Sequence, residues 1–153
     1  MFNHLKQSKF REDKLYSKIL SLSRNKLFYR ELAFCDTFQN RINLIFLHIS
    51  FLFIKVKQRD NSNSYYKFYQ RMFDYIFRRI EIDMREIGYS DTTVNKNMKF
   101  LVKIFYNILL NCEDYKKKTF DKKSLFLFKY LDINKANKHN KSINIIEYFN
   151  QYH

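Results

Sequence analysis

A chain of 153 residues with no proline and one glycine, Gly88, has almost nothing with which to turn a strand sharply or break a helix. Sheets and sandwiches, which depend on such turn residues, are disfavoured, and long helices joined by polar loops are favoured. The scarcity of glycine also removes the P-loop and the dinucleotide fingerprint, because both bring backbone amides onto phosphate at glycine positions. The common nucleotide enzymes are excluded on that ground. At this length one domain with a real core is expected, burying roughly 68–70% of the surface its unfolded chain exposes.

Hydrophobic spacing resolves the chain into helical segments. Leu15, Ile19 and Leu22 mark one face of a segment over 12–23, and Leu27, Phe28 and Leu32 anchor a short helix over 25–34. The pair Asp36-Thr37 is a helix cap, and the segment after it is apolar almost all round to Val56, which predicts a buried central helix. Its apolar run, from Ile42 to Val56, holds Asn43, His48, Ser50 and Lys55 and is shorter than the roughly 20 residues of a membrane span. A loop is predicted over 59–64. The next helix, 65–87, carries Tyr69, Phe73, Ile76, Ile80, Met84 and Ile87 on one stripe and stops at Gly88 in the left-handed region. On another face Arg71, Asp74, Arg78, Glu81 and Arg85 alternate in sign, a predicted ladder of self-neutralising pairs.

A second long amphipathic helix follows, capped near Ser90-Asp91 or Thr92, with Val94, Met98, Leu101, Phe105, Leu109 and Cys112 on one face. A lysine-rich joint, Lys116, Lys117, Lys118, Lys122 and Lys123, leads to an apolar segment at 125–131. Residues 132–142 read as a mobile polar stretch, and 143–149 as a last short helix. The expectation is an all-α, single-domain bundle of about six to seven helices: a basic N-terminal tail over 1–11, a helical domain over 12–131, and a polar, basic extension over 132–153. Residues 1–10 lack the apolar core and cleavage site of a secretory signal.

The net charge of +14 is concentrated at the ends. Residues 1–30 carry eight positive and two negative charges, residues 31–115 twelve and ten, and residues 116–153 nine and three. Mutational drift toward AT-rich codons explains lysine abundance but not its placement, so two basic edges around a nearly neutral body point to an anionic partner. A merely solvated lysine surface is the competing account.

No constellation of catalytic residues stands out. His48 shares a stripe with Arg41 and Lys55, yet no second His or Cys lies at ligand spacing, which favours a core histidine over a metal ligand. His4, His139 and His153 fall in expected tails. Glu81, Asp83 and Glu86 are flanked by Arg78, Arg79 and Arg85, so ion pairing explains them better than acid–base chemistry. Asp36 and Asp91 read first as caps. Cys35 and Cys112 form no CxxC and are expected as free, mostly buried thiols in a reducing compartment. No catalytic residue, metal or cofactor is expected.

Particular residues then say more than composition. Leu15-Tyr16, the run from Ser23 through Arg24, Asn25, Lys26 and Leu27 to Phe28-Tyr29, then Asp36-Thr37, Arg41-Ile42 and Leu47-His48 resemble the opening of the ubiquinol–cytochrome c chaperone family, in which an aromatic pair precedes a DT…GRF…LH element. A second block, Asp83-Met84-Arg85-Glu86-Ile87-Gly88-Tyr89-Ser90-Asp91 followed by Val94, Lys96, Met98-Lys99 and Phe105-Tyr106, is similar to that family's later stretch. The likeness covers about residues 12–115. Cys35 stands where the family has proline, and Asn40, Ser90 and Asn107 where it has glycine, each a lost turn-former or small residue.

The resemblance implies an all-helical, non-enzymatic chaperone for biogenesis of cytochrome b of respiratory complex III. It further implies a small partner subunit and work near the ribosomal exit tunnel. The absence of a presequence favours a bacterial cytoplasm with peripheral attachment to the inner membrane, or the matrix side if the host is eukaryotic. The family-matched positions are Phe28, Tyr29, Asp36, Thr37, Arg41, His48, Arg85, Glu86, Gly88, Asp91 and Lys99, as scaffold or partner contacts. The lysines at 116–118 and 122–123 suit ribosomal RNA or anionic lipid. The alternative is a basic helical RNA- or ribosome-binding module with no cytochrome client; a small helical enzyme is the third and least supported reading.

Overall fold

Ten consecutive residues, Ile42 to Phe51, are buried, so this stretch of helix has neighbours on every side. The computed structural model describes residues 2–60, 62–133 and 138–152, and within them the fold is six α-helices: α1 Phe2–Ser23, α2 Phe38–Arg59, α3 Asn63–Ile87, α4 Asp91–Glu113, α5 Phe120–Tyr130 and α6 Lys138–Asn150. Among the described residues there is no strand, only an isolated antiparallel bridge between Phe34 and Ile133. Helix α2 is the axis, packed most extensively against α4 and next against α1.

One aromatic cluster holds α2, α3 and α4 together. Phe105 of α4 meets Phe46 and Phe53 of α2, with centroids at 5.3 and 6.3 Å, and Phe73 and Phe77 of α3 at 5.6 and 5.9 Å. Such pairs contribute about 0.5–1.5 kcal/mol each beyond the area they bury. A second cluster surrounds His48 and gathers Phe28, Tyr148, Phe149 and Tyr152, joining α2 to α6.

Several local expectations change in detail. Helix α1 begins at Phe2, well before the residues whose spacing marks its buried face, because nothing between Phe2 and Ser23 breaks a helix. Residues 25–34 form a π-helical turn, Leu27–Glu31, rather than an ordinary short helix. Thr37 alone caps α2, its hydroxyl accepting from the Asn40 amide at 3.2 Å, while Asp36 turns away to Arg41. Ser90 caps α4, and Asp91 is its first residue. Of the predicted ladder on α3 only the Glu81–Arg85 pair forms among the described residues; Asp74 accepts from Gln70, Arg71 crosses to buried Glu12 of α1 at 3.1 Å, and Tyr75 beside it donates to Asp13. Desolvation and that carboxylate push the Tyr75 phenol up to about 12.

The lysine-rich joint divides in two. Tyr115–Lys117 is a single 3-10 turn, whereas Lys122 and Lys123 belong to the first turns of α5. Gly88 closes α3 with φ of 101°, donating its amide to the Arg85 and Met84 carbonyls. The polar stretch over 132–142 lies partly outside the described residues, at 134–137, and its last five residues belong to α6. The side chains of His4, His139 and His153 also lie outside them.

Candidate functional site

Where α1 ends, α2 begins and α3 ends, the three helices leave a cleft of about 300 Å³. Its floor is apolar, from Leu20, Ile42, Ile45 and Ile80. Its rim is charged and divided by sign: Arg24 of the α1 end and Arg41 of α2 stand against Asp83 and Glu86 of α3. Periodicity accounts for the division, since Phe38, Arg41, Ile42 and Ile45 fall on one face of α2 and Ile80, Asp83 and Ile87 on one face of α3. Ile87, 57% exposed, leaves apolar surface at the opening, and Tyr89 meets Phe38 of the lining edge-on. Burial pushes the Asp83 carboxyl up, with Glu86 adding to it and Arg79 and Arg24 opposing. Among the described residues neither Asp83 nor Glu86 has a partner within ion-pair distance, and Arg79 and Arg24 act on Asp83 from farther off.

A smaller cavity of about 270 Å³ adjoins the cleft through Arg24 and Arg41 and adds Lys26, Tyr29, Arg30 and Asp36. Here Arg41 grips Asp36 with two bonds, Nε to Oδ1 at 2.6 Å and an η nitrogen to Oδ2 at 2.8 Å, which holds the Asp36 carboxyl below its ordinary range. The Tyr29 hydroxyl donates to the Ser23 carbonyl at 3.2 Å and fastens the π-turn to the end of α1.

The family-matched positions therefore divide. Arg41 and Glu86 line the cleft, and Asp36 and Tyr29 line its basic annex. Arg85 lies outside both and pairs with Glu81 at 3.1 Å and with Asp91, bracing the α3–α4 corner around Gly88. Phe28 is wholly buried, stacked on Phe34 and edge-on to Tyr148, and Thr37 is the α2 cap. Lys99 is exposed on α4.

His48 lies in the core, 3% exposed. Its Nδ1 is 2.6 Å from the Leu44 carbonyl, which can only accept, so Nδ1 carries the proton. Nε2 then accepts from the Tyr148 hydroxyl at 2.7 Å, and Tyr148 in turn accepts from Tyr152 at 2.9 Å. Burial pushes the imidazole down to about 4, against the pull of the Leu44 carbonyl, so the ring is neutral and holds α6 to α2. Of the C-terminal lysines, Lys118 pairs with Asp114, and Lys123 donates to Asn150 at 3.0 Å and lies over the Tyr115 ring; Lys116, Lys117 and Lys122 are exposed.

Two residues that position these features escape motif reasoning. Asn40, viewed in sequence as a lost glycine, is 2% exposed and clamps two loops: its Nδ2 donates to the Cys35 and Asp132 carbonyls at 2.8 and 2.7 Å, and its Oδ1 accepts the Asp132 amide at 2.8 Å. Asn43, one turn on, donates to the Tyr130 carbonyl at 2.6 Å. The signal available was two amides inside an otherwise apolar, fully packed helix. Among the described residues no group of His, Cys, Asp and Glu could hold a metal ion, and no helix is long and apolar enough to cross a membrane.

Comparisons with known proteins bear on this arrangement. A solved structure, the Cbp3 homolog from Brucella abortus, superposes with a TM-score of 0.73 at 21% identity, covering 97% of this chain and 84% of that one, which establishes a shared fold. No curated protein matches the chain. The family model described as Ubiquinol-cytochrome C chaperone matches residues 30–125, a span that begins at the end of the π-turn and takes in the α2 cap, the cleft's α2 and α3 walls and the Gly88 corner. A match over more than half of the chain places it: this protein belongs to the ubiquinol–cytochrome c chaperone family.

Proposed function

We propose that the protein is an assembly chaperone for respiratory complex III and that its client is cytochrome b, newly made or newly inserted, held at the cleft between α1, α2 and α3. The observation that carries this reading is the combination in one cleft of an apolar floor, exposed Ile87 at its mouth, and charged walls of opposite sign bearing family-matched Arg41 and Glu86. Such a site suits an apolar helix end with polar residues at its boundary, which the floor shields from water and the walls orient. The work is holding, not bond-making. The helical body over 12–131 supplies the cleft, and the basic ends bring it to an anionic surface at the cytoplasmic side of the membrane.

The test is deletion of the gene in its host, with difference spectra of membranes, alongside a photo-crosslinking amino acid placed at Ile87. Selective loss of haem b and c of complex III, with other haem proteins intact, and crosslinking of cytochrome b from Ile87 but not from exposed Lys96 of α4, are the expected results. Unchanged complex III would mean that the family fold here serves another task.

A further inference from the structure

A second groove runs along the other side of α2, on the seam between α4 and α5. Two cavities, of about 650 and 300 Å³, lie end to end there and share Lys129 in their walls. On α4 the residues facing it, Phe100, Ile104, Asn107 and Asn111, are spaced four, three and four apart and so form one stripe. On α5 the facing row is Lys122, Leu125 and Lys129, with Phe128 beside it. Phe100 is 55% exposed and Leu125 74%, while Leu110, next to the stripe, is 63% exposed. These are the most exposed of the large apolar side chains on the two helices. From Phe100 to Asn111 the stripe runs about 17 Å, the length of roughly three helical turns.

The rim is predominantly basic. Lys103, Lys118, Lys122 and Lys129 line the two cavities, against a single lining carboxylate, Asp132. Lys118 is paired with Asp114, and Lys129 lies 5.5 Å from the centroid of the Tyr130 ring. Among the described residues none of Lys103, Lys122 and Lys129 has a carboxylate within ion-pair distance. An apolar stripe of helical period between unpaired lysines is complementary to a helix with Leu or Phe on one face and Asp or Glu along its flanks. Nucleic acid fits less well, because Phe100 alone among the lining rings is exposed, which is too few for successive bases to stack on.

We propose that the α4–α5 groove docks an acidic amphipathic helix of a partner protein, at a site separate from the α1–α2–α3 cleft. The assignment stands on the groove alone and does not depend on the client held in the cleft. Two fluorescent synthetic peptides of about 14 residues test it, identical in their Leu/Phe face and differing only in Glu or Lys flanks, titrated against the full chain at about 0.05 and 0.3 M salt. The Glu peptide is expected to bind at least about tenfold tighter, and to lose most of that advantage at the higher salt.

Replacing Lys103 and Lys129 by Glu reverses the preference between the peptides. Phe100→Ser weakens both peptides alike, and Ile87→Asp in the cleft changes neither. All these positions are exposed, and circular dichroism confirms that each variant keeps its helices. Equal binding of the two peptides, or a preference that survives the double charge reversal, overturns the proposal. So does a single-stranded RNA oligonucleotide that outcompetes the Glu peptide at these lysines, which would reassign the groove to nucleic acid.

Discussion

The cleft and the groove share a wall and differ in how their charges are settled. Helix α2 offers Phe38, Arg41, Ile42 and Ile45 to the cleft and Gln39 and Asn43 to the groove. In the cleft both signs are present, and Arg41 is already held by Asp36. In the groove three lysines face water without a carboxylate. A site whose charges balance internally selects a partner by fit and orientation, whereas one with charges predominantly of one sign selects by complementarity and is salt-sensitive. One helix can thus support two modes of recognition, provided its own position is rigidly set.

That proviso predicts the largest effect. Asn40→Ala removes three hydrogen bonds that tie the Cys35 loop and the chain after α5 to the first turn of α2. The expected destabilisation is about 3 kcal/mol, read by urea unfolding, with client crosslinking at the cleft and peptide binding at the groove both impaired. If only one site suffers, α2 is not their common support.

The second effect belongs to the scaffold and should leave both sites in place, since α6 lines neither. His48→Phe keeps the ring in the aromatic cluster but removes its bonds to Leu44 and Tyr148. The folded histidine titrates at about 4, below its ordinary value near 6.5, so the unfolded chain binds the extra proton between those values. Stability from this group is therefore full above about pH 6.5 and falls by about 3 kcal/mol as pH drops toward 4. Asp83, whose carboxyl is raised by burial, works the other way and gains as pH falls. Unfolding midpoints measured against pH should show His48→Phe destabilised at neutral pH and flatter across that window, with faster amide exchange confined to α6.

Much of the fold was legible because helical period and the lack of Pro and Gly leave few alternatives. The uninterrupted burial of 42–51 marks the central helix, and Gly88 marks the end of α3. The cleft was legible in its parts, since Arg41 and Glu86 carry the family motif, but not as a whole. Arg24 and Asp83 reach it only because the ends of α1 and α3 meet the start of α2. The groove left almost no trace: Phe100 lies off the apolar stripe of its helix and Leu125 only opens an apolar segment, and which apolar residues stay uncovered depends on how α5 lies on α4. Local capping chemistry misled at Asp36, where a bidentate arginine five residues on outcompetes the backbone amides of a helix that Thr37 already caps.

A smaller effect sharpens the role of the π-turn beside the basic annex. Ala33 has φ of 52°, in the left-handed region where a Cβ costs about 1 kcal/mol. Ala33→Gly should relieve that strain, at some entropic cost in the unfolded chain, and raise stability by about 0.5 kcal/mol. Thermal unfolding would show it, with binding at cleft and groove unchanged.

The smallest effect on stability is the most informative about the cleft. Arg41 and Asp36 are each about half exposed, 50% and 54%, so Arg41→Ala should leave the unfolding midpoint essentially unmoved. It nevertheless removes a cation from the positive wall and releases Asp36, turning that corner negative opposite the already negative Asp83 and Glu86. Crosslinking of the client from Ile87 should then fall by about fivefold, while the Glu-flanked peptide still binds the groove as before. Removing Asp36 as well separates two causes. If the double variant recovers capture, the cleft reads the balance of charge between its walls; if it does not, the client needs the guanidinium itself, and the Asp36 pair serves to aim it.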